Sequence, residues 1–280
     1  METDLLNTEN GIVKFMKLSI VLSTQPASFS ALAYKGHIED NILKIKNFGY
    51  DGVELAVRDP QKLDVESLKS ILTKIDIPVA AIGTGQAYAE EGLYLTHPDK
   101  DIRGKAIARI KSHMVLAESL NTLVIIGLLC GKKETGIDAE KINNWLIEAL
   151  REVSTCNENV KLAIEPINRY ETDIVNTVKS GLDLIENINC KNIGLLLDTF
   201  HMNIEEPSIT ESIKIAKNNL FHFHIADSNR WHPGAGHINF KEVVETLDVV
   251  GYDNYVSAEI MPLPDPDTAA KNTIDYMRKL

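Results

Sequence analysis

The sequence predicts a single-domain α/β protein, a (β/α)8 barrel of the TIM type. Eight short apolar runs alternate with amphipathic stretches, which is the order of elements in such a barrel. The 280 residues, 44% of them hydrophobic, can enclose one large core. No Gly-x-Gly-x-x-Gly motif follows the first run, so an open dinucleotide-binding sheet is not supported.

The apolar runs are predicted to be buried parallel strands. Each run is short, nearly continuous in apolar residues and bounded by turn residues. The predicted strands are residues 17–23, 52–57, 79–83, 122–127, 161–165, 193–198, 220–225 and 255–260.

The stretches between the strands are predicted to be helices, because their apolar residues recur every three or four positions. These helices are Ile38–Phe48, Val65–Ile75, Arg103–Leu120, Ala139–Cys156, Val178–Ile188, Ile209–Lys217 and Phe240–Val250. The barrel domain is expected to span residues 16–280. Residues 1–15 are polar and acidic, unlike a secretion signal, so we expect a flexible N-terminal extension, with Met16 as an alternative start.

Charge and cysteine content narrow the class of function. A net charge of −11 and a pI near 5.2 disfavour nucleic acid and anionic membranes as partners, because both require clustered Lys and Arg. The 3 cysteines are an odd number with no CxxC spacing, which disfavours a disulfide framework or a thiolate zinc site and favours the reducing cytoplasm. No stretch is apolar enough to span a bilayer. Small solutes are the expected ligands.

Four side chains that bind metals stand at the downstream ends of the last four strands. They are Glu165, Asp198, His224 and Glu259, separated by 33, 26 and 35 residues. Each separation is about one strand-plus-helix unit, so successive units bring these groups to one rim. Three carboxylates and an imidazole suit Mn²⁺, Mg²⁺ or Co²⁺ better than structural zinc, which favours thiolates. The alternative is that each acid pairs with Arg or Lys at a strand end.

Two of these residues, Glu165 and Glu259, form a candidate catalytic pair. Each carboxylate could bind the cation through one oxygen and exchange a proton through the other. This arrangement suits proton abstraction next to a carbonyl through a cis-enediolate. If the second carboxylate returns the proton on the other face, the reaction is an epimerisation.

Polar residues just beyond the strand ends are candidate substrate contacts. Asn168 and Glu171 follow Glu165, His201 lies three residues past Asp198, and Arg230 lies six past His224. The alternatives are an Arg169–Glu171 surface pair, a structural histidine, and a salt bridge from Arg230 to Asp227 or Glu259.

Glu54 and Gln86 are further candidate substrate contacts, because they lie at the ends of the second and third strands. Glu54 could equally pair with Arg58. The alternation along the seventh strand points His222 to the same side as His224, so His222 is interpreted as a packed or supporting residue. Arg58, Arg169 and Arg230 are the candidate partners for a substrate carboxylate.

These residues resemble the xylose-isomerase-like barrel superfamily, and within it the ketose 3-epimerases typified by D-tagatose and D-psicose 3-epimerase. The resemblance implies that Glu165, Asp198, His224 and Glu259 are metal ligands, with Glu165 and Glu259 catalytic. It also implies that Glu171, His201 and Arg230 bind substrate. It covers nearly all of the chain from Met16 onward.

The longer matching strings resemble the 5-keto-L-gluconate epimerases of that group, which are associated with bacterial inositol catabolism. These strings are Ala81–Tyr88, Leu95–Pro98, Val124–Gly127, Glu165–Asp173, Asp198–Glu206 and Ala226–Trp231. The resemblance implies interconversion of 5-keto-L-gluconate and D-tagaturonate with Mn²⁺ or a similar cation, by a homodimer or homotetramer.

Other functions on the same barrel stay open. A free-ketose 3-epimerase, an inosose isomerase or a dehydratase would use the same rim. Apurinic endonucleases share the barrel but need a His-rich multi-metal site and a basic DNA face, which this acidic chain does not show. A non-catalytic sugar-binding protein is expected to lack a ligand or catalytic glutamate, and all four are present.

Overall fold

A computed structural model describes residues 7–8, 11–12 and 16–280 of the chain. Within the first fifteen residues, Asn7–Thr8 and Gly11–Ile12 pair as antiparallel strands. The predicted flexible extension lies for the most part outside the described residues. Its boundary at residue 16 therefore stays a prediction.

The predicted barrel is confirmed. Eight parallel strands lie in chain order, and pairing of the last strand with the first closes the barrel. They are β1 (Lys17–Ser23), β2 (Gly52–Ala56), β3 (Val79–Gly83), β4 (Val124–Ile126), β5 (Leu162–Ile164), β6 (Ile193–Asp198), β7 (Leu220–Ile225) and β8 (Tyr255–Ala258). A short strand, Tyr34–Lys35, pairs with the end of β1.

Ten α-helices surround the strands in the described part of the chain. They are α1 (Ile38–Asn47), α2 (Val65–Ile75), α3 (Gly85–Glu91), α4 (Lys100–Ser119), α5 (Ala139–Cys156), α6 (Val178–Ile188), α7 (Thr199–Glu205), α8 (Ile209–Ala216), α9 (Phe240–Val249) and α10 (Pro266–Met277). Single 3₁₀ turns occupy Pro60–Lys62, Leu128–Cys130 and Lys217–Asn219.

The seven predicted helices are present, and α3, α7 and α10 are additional. The first two are only seven residues long, too short for a clear apolar period. Capping side chains define two of the additional helices. Asp198 accepts a hydrogen bond from the Phe200 amide at the start of α7, and Asp265 accepts one from the Thr268 amide at the start of α10.

The core has two layers, because alternate strand residues face the helices and the barrel interior. The larger layer lies between strands and helices and includes Phe223 and Phe240. Inside the barrel, the half formed by β3–β6 is apolar, with Ala81, Ile125, Ala163 and Leu196 in one cluster. The half formed by β7, β8, β1 and β2 carries the buried polar side chains His222, Ser257, Ser19 and Glu54.

In the described part of the chain, no helix is both long and apolar enough to cross a membrane.

Candidate active site

The four predicted metal ligands meet at the carboxyl end of the barrel. Glu165 directly follows β5, Asp198 ends β6, His224 lies beside Asp198 in the β7 register, and Glu259 directly follows β8. One potential ligand atom from each of the four lies within 4.8 Å of all the others. The parallel register of neighbouring strands therefore assembles this cluster.

Three atoms in the cluster are buried and have no hydrogen-bond partner among the described residues: Glu165 Oε1, Asp198 Oδ2 and His224 Nδ1. His224 Nδ1 lies 4.0 Å from each of the two carboxylate oxygens. Buried polar atoms without partners cost free energy, so this convergence indicates a ligand that would contact all three. Carboxylate and imidazole donors suit a divalent cation, and the residues present fit one.

The electrostatics of the cluster also favour a bound cation. Burial, followed by the charge of Glu259, raises the pKa of Glu165 well above its usual value. Burial raises the pKa of Asp198 to about 6, although His224 opposes this shift. Burial would lower the pKa of His224, but Glu54 and the rim acids raise it to about 10. A buried excess of carboxylates is thus balanced by a positive imidazole, a role that a cation could take over.

Glu54 contacts the imidazoles of His222 and His224 rather than Arg58. His222 Nε2 lies 2.8 Å from Glu54 Oε2, and His224 Nε2 lies 3.0 Å from both Glu54 oxygens. Burial opposes ionisation of Glu54, but the two imidazoles hold its pKa well below the usual value. Glu54 also lines a cavity at the carboxyl end of the barrel, and its role as a substrate contact stays a prediction.

A cavity of about 660 Å³, including its open mouth, lies above the cluster. Part of its wall is apolar, formed by Val21, Phe29, Leu32, Ala56, Ile125, Leu128 and Ile167. Gln86 lies on the wall, as predicted for a pocket residue: its Nε2 donates to Ser23 Oγ at 2.6 Å, and its Oε1 is buried without a partner. Among the described residues, that oxygen therefore keeps unused hydrogen-bond acceptor capacity.

The other predicted substrate contacts form one hydrogen-bonded chain along the rim. Asn168 Nδ2 lies 2.7 Å from His201 Nδ1 and 2.9 Å from Glu171 Oε1. Arg230 donates from Nη1 to Glu171 at 2.9 Å and from Nη2 to Glu259 Oε2 at 2.8 Å. Each of these side chains therefore has a fixed position before substrate binds. Their contacts with substrate stay predictions.

The tautomer of His201 follows from its neighbours. Both the Asn168 side chain and the Asn168 backbone N–H point at His201 Nδ1, so this nitrogen is an acceptor. Burial, followed by Arg230, lowers the pKa of His201 well below its usual value, which keeps the ring neutral. The proton is therefore on Nε2, which lies 3.7 Å from Glu165 Oε1. His201 presents an N–H donor to the site.

Arg230 is the only Lys or Arg on the cavity wall in the described part of the chain. Its guanidinium lies between the rings of Phe29 and Phe200, 5.0 and 4.7 Å from their centroids. Its backbone has a φ of 62°, a conformation that non-glycine residues rarely adopt and that often marks functional sites. Of the two alternative salt bridges for Arg230, the one to Glu259 is present.

The other two candidate arginines bind elsewhere. Arg169 pairs with Glu205 at 2.8 Å instead of with Glu171, and Arg58 donates to the Pro26 carbonyl. Neither lines the cavity.

Gly127 is a site residue whose role was not predicted. It directly follows β4, and a Cβ atom there would lie only 2.5 Å from Glu165 Oε2. The absence of a side chain therefore makes room for the Glu165 carboxylate. A glycine directly after a strand was the available signal, since such a glycine often marks a close approach.

Residues 42–280 match the family described as xylose isomerase-like TIM barrel. D-psicose 3-epimerase of Ruminiclostridium cellulolyticum is 32% identical over 235 residues, 81% of this chain and 78% of that protein. A probable ketose 3-epimerase of Synechocystis is 28% identical, covering 80% and 78%. The solved structure of an L-ribulose 3-epimerase matches with a TM-score of 0.81 and 25% identity, covering 95% of this chain and 94% of that one.

The chain belongs to the ketose 3-epimerase family of xylose isomerase-like TIM barrels. It is therefore an isomerase of the epimerase type.

Gly127→Ala should impair this ketose 3-epimerase family member by displacing the Glu165 carboxylate. We expect kcat to fall about 100-fold, the typical effect of a misplaced catalytic group. Gly104→Ala on α4 is the matched control, because a Cβ there meets nothing within 4 Å. Steady-state kinetics and thermal unfolding check this, and equal activity of the two variants would contradict it.

Asn168→Asp should reverse the His201 tautomer, because a carboxylate at this position would accept a hydrogen bond from a protonated Nδ1. The Nε2 donor would be lost, and the new charge would face Glu171, which is 2.9 Å from the present amide. We expect kcat/KM to fall about 100-fold, the typical effect of losing one active-site donor. Asn187→Asp, on the exposed side of α6, adds the same charge as a control. An Asn168→Asp variant with unchanged kcat/KM would show that the tautomer is unimportant.

Proposed function

We propose that this protein is a divalent-metal-dependent epimerase that inverts the carbon next to the carbonyl of a neutral ketose, at carbon 3. The observation that carries the proposal is that the two carboxylate oxygens of Glu165 face different surroundings. Its Oε1 points into the ligand cluster without a hydrogen-bond partner, while its Oε2 faces Gly127. One carboxylate can therefore serve a cation and a proton at the same time.

The roles of the chain's own groups follow from their positions. Glu165, Asp198, His224 and Glu259 would hold the cation. When bound, the cation would polarise the carbonyl and hydroxyl oxygens beside the reacting carbon. Glu165 and Glu259, from strands β5 and β8, would take the proton from this carbon and return one on its other face. Mn²⁺ is the proposed cation, with Co²⁺ and Mg²⁺ as substitutes.

Two further groups prepare the site for substrate oxygens. The Nε2–H of neutral His201 would donate a hydrogen bond to one of them. Arg230 holds Glu259 through Nη2 at 2.8 Å, which limits the motion of one base. A positioned base and a positioned donor both lower the barrier to proton transfer.

The charge balance of the cavity favours a neutral substrate. Both terminal nitrogens of Arg230 already donate to carboxylates, and no other Lys or Arg lines the described cavity wall. A substrate carboxylate would need to displace Glu171 or remain unpaired, and an unpaired buried charge is costly. The relatives named for psicose and ribulose also favour this choice.

The second candidate is 5-keto-L-gluconate epimerisation, with its association with inositol catabolism, and it rests on the long sequence strings from Ala81 to Trp231. A cytoplasmic location is supported by the three free cysteines, Cys130, Cys156 and Cys190. Homo-oligomer formation, as a dimer or tetramer, stays a prediction from the family resemblance.

Deuterium incorporation should separate the two substrates. Metal-stripped protein in D₂O would be given D-psicose, D-tagatose or 5-keto-L-gluconate, with and without Mn²⁺, and followed by NMR. We expect Mn²⁺-dependent label at carbon 3 of the neutral ketoses. Label in the keto-acid alone would favour the second candidate, and epimerisation without label would contradict proton transfer by solvent-exchanging carboxylates.

Glu165→Gln and Glu259→Gln should each lower kcat by about 1,000-fold, because an amide keeps the shape of the side chain but cannot carry the proton. Glu148→Gln, on the exposed surface of α5, is the control for the same chemical change. Single-turnover rates at saturating Mn²⁺, with thermal unfolding as the check on folding, measure the effect. Near-normal turnover by either active-site variant would exclude the two-base mechanism.

A further inference from the structure

Both carboxylate oxygens of Glu54 contact histidine side chains inside the barrel. Glu54 is only 1% exposed and comes from β2, whereas these histidines come from β7, 168 and 170 residues along the chain. The closest distances are 2.8 Å to His222 Nε2 and 3.0 Å to His224 Nε2. Closure of the barrel therefore places one acid against two imidazoles.

These contacts determine which nitrogen of His224 faces the cluster of Glu165, Asp198 and Glu259. An ionised carboxylate only accepts hydrogen bonds, so Nε2 of His224 must carry the proton. The opposite nitrogen, Nδ1, then has its lone pair free when a cation is bound. It is this atom that lies 4.0 Å from Glu165 Oε1 and from Asp198 Oδ2.

We propose that Glu54 is a positioning residue of the metal centre, which sets the tautomer and the ring orientation of His224, and that His222 holds Glu54 in place. The inference rests on the metal centre of the proposed function and not on its substrate. A carboxylate behind a metal-bound histidine typically raises cation affinity 10- to 100-fold.

His222 also contacts Glu54 and is proposed to hold it in place. Its ring lies edge-on to that of His224, with 5.2 Å between the centroids, and it is completely buried. Its hydrogen bond to Oε2 leaves Glu54 few alternative rotamers. His224 Nε2 lies 3.0 Å from both Glu54 oxygens and shares one N–H between them, so the separate N–H of His222 at 2.8 Å restricts Glu54 more than His224 could alone.

A purely structural role is the competing explanation. Glu54 and the two histidines would then be a buried ionic cluster whose loss destabilises the barrel without affecting cation binding. Cation affinity distinguishes the two roles, because a stability defect lowers the unfolding temperature of the metal-free protein while a positioning defect changes the metal centre of the folded protein.

The test is to titrate metal-stripped protein with Mn²⁺ by calorimetry and to record the visible spectrum of the Co²⁺ form. Glu54→Gln keeps the size of the side chain, but it replaces one acceptor oxygen with an NH2 group that cannot accept from an imidazole N–H. We expect a 10- to 100-fold weaker Mn²⁺ affinity and a changed Co²⁺ spectrum. Glu54→Asp keeps the charge with a shorter reach, and we expect a smaller loss of affinity; it also serves if Glu54→Gln does not fold.

His222→Asn is the matched variant on the other side of Glu54, and we expect less than a 10-fold loss of Mn²⁺ affinity. Glu54 variants that are folded and bind Mn²⁺ within twofold of the unmodified protein, with an unchanged Co²⁺ spectrum, would overturn the proposal. Absence of Mn²⁺ and Co²⁺ binding by the unmodified protein would overturn it together with the proposed metal centre. A wrong substrate assignment would appear only in the turnover assay and leave these titrations unchanged.

Discussion

The site depends on the mutual repulsion of carboxylates that barrel closure forces together. Parallel pairing of β5 to β8 brings Glu165, Asp198 and Glu259 within ligand distance of one another and of His224, mostly out of contact with water. At such separations and low local dielectric, like charges are strongly destabilising. Positive charge is needed to offset them, and Arg230 and His224 supply only part of it. The same constraint thus explains the shifted pKa values of the acids and the hydrogen bonds around them, and it is the physical basis of the proposed cation site.

The two halves of the barrel interior support this cluster in different ways. The β3–β6 half is filled by Ala81, Ile125, Ala163 and Leu196, whose small and aliphatic side chains pack without polar requirements. The other half carries Glu54 and His222 beneath His224. Apolar packing keeps the strands in register, while the polar half orients the imidazole of His224. Because the buried polar groups lie in only one half of the interior, their desolvation cost arises only where they orient His224.

The sequence predicted the barrel and the convergence of Glu165, Asp198, His224 and Glu259 on one rim, because both depend on local patterns. A strand end is visible as the end of an apolar run, and in a parallel barrel every such end lies on the same face. The partners of Glu54 were not predictable in this way. Arg58 is four residues away and was the natural local partner, whereas His222 becomes a neighbour only when β1 and β8 pair and bring β2 close to β7. The role of Gly127 was not predicted for a related reason. That role depends on the space that the Glu165 side chain occupies, which only the folded structure shows.

The long matching sequence segments and the contacts in the fold favour different substrates for this site. Matching sequence segments indicate that two proteins share a site. They do not show which charged side chains of that site are already paired with each other. Arg230 is a plausible carboxylate receptor by sequence, and in the fold both of its terminal nitrogens are engaged by Glu171 and Glu259. A guanidinium that holds Glu171 and Glu259 cannot also bind a substrate carboxylate without releasing one partner. Under the proposed function, the contact that fixes Glu259 would therefore also restrict the charge of the substrate, and one side chain would link catalysis and specificity.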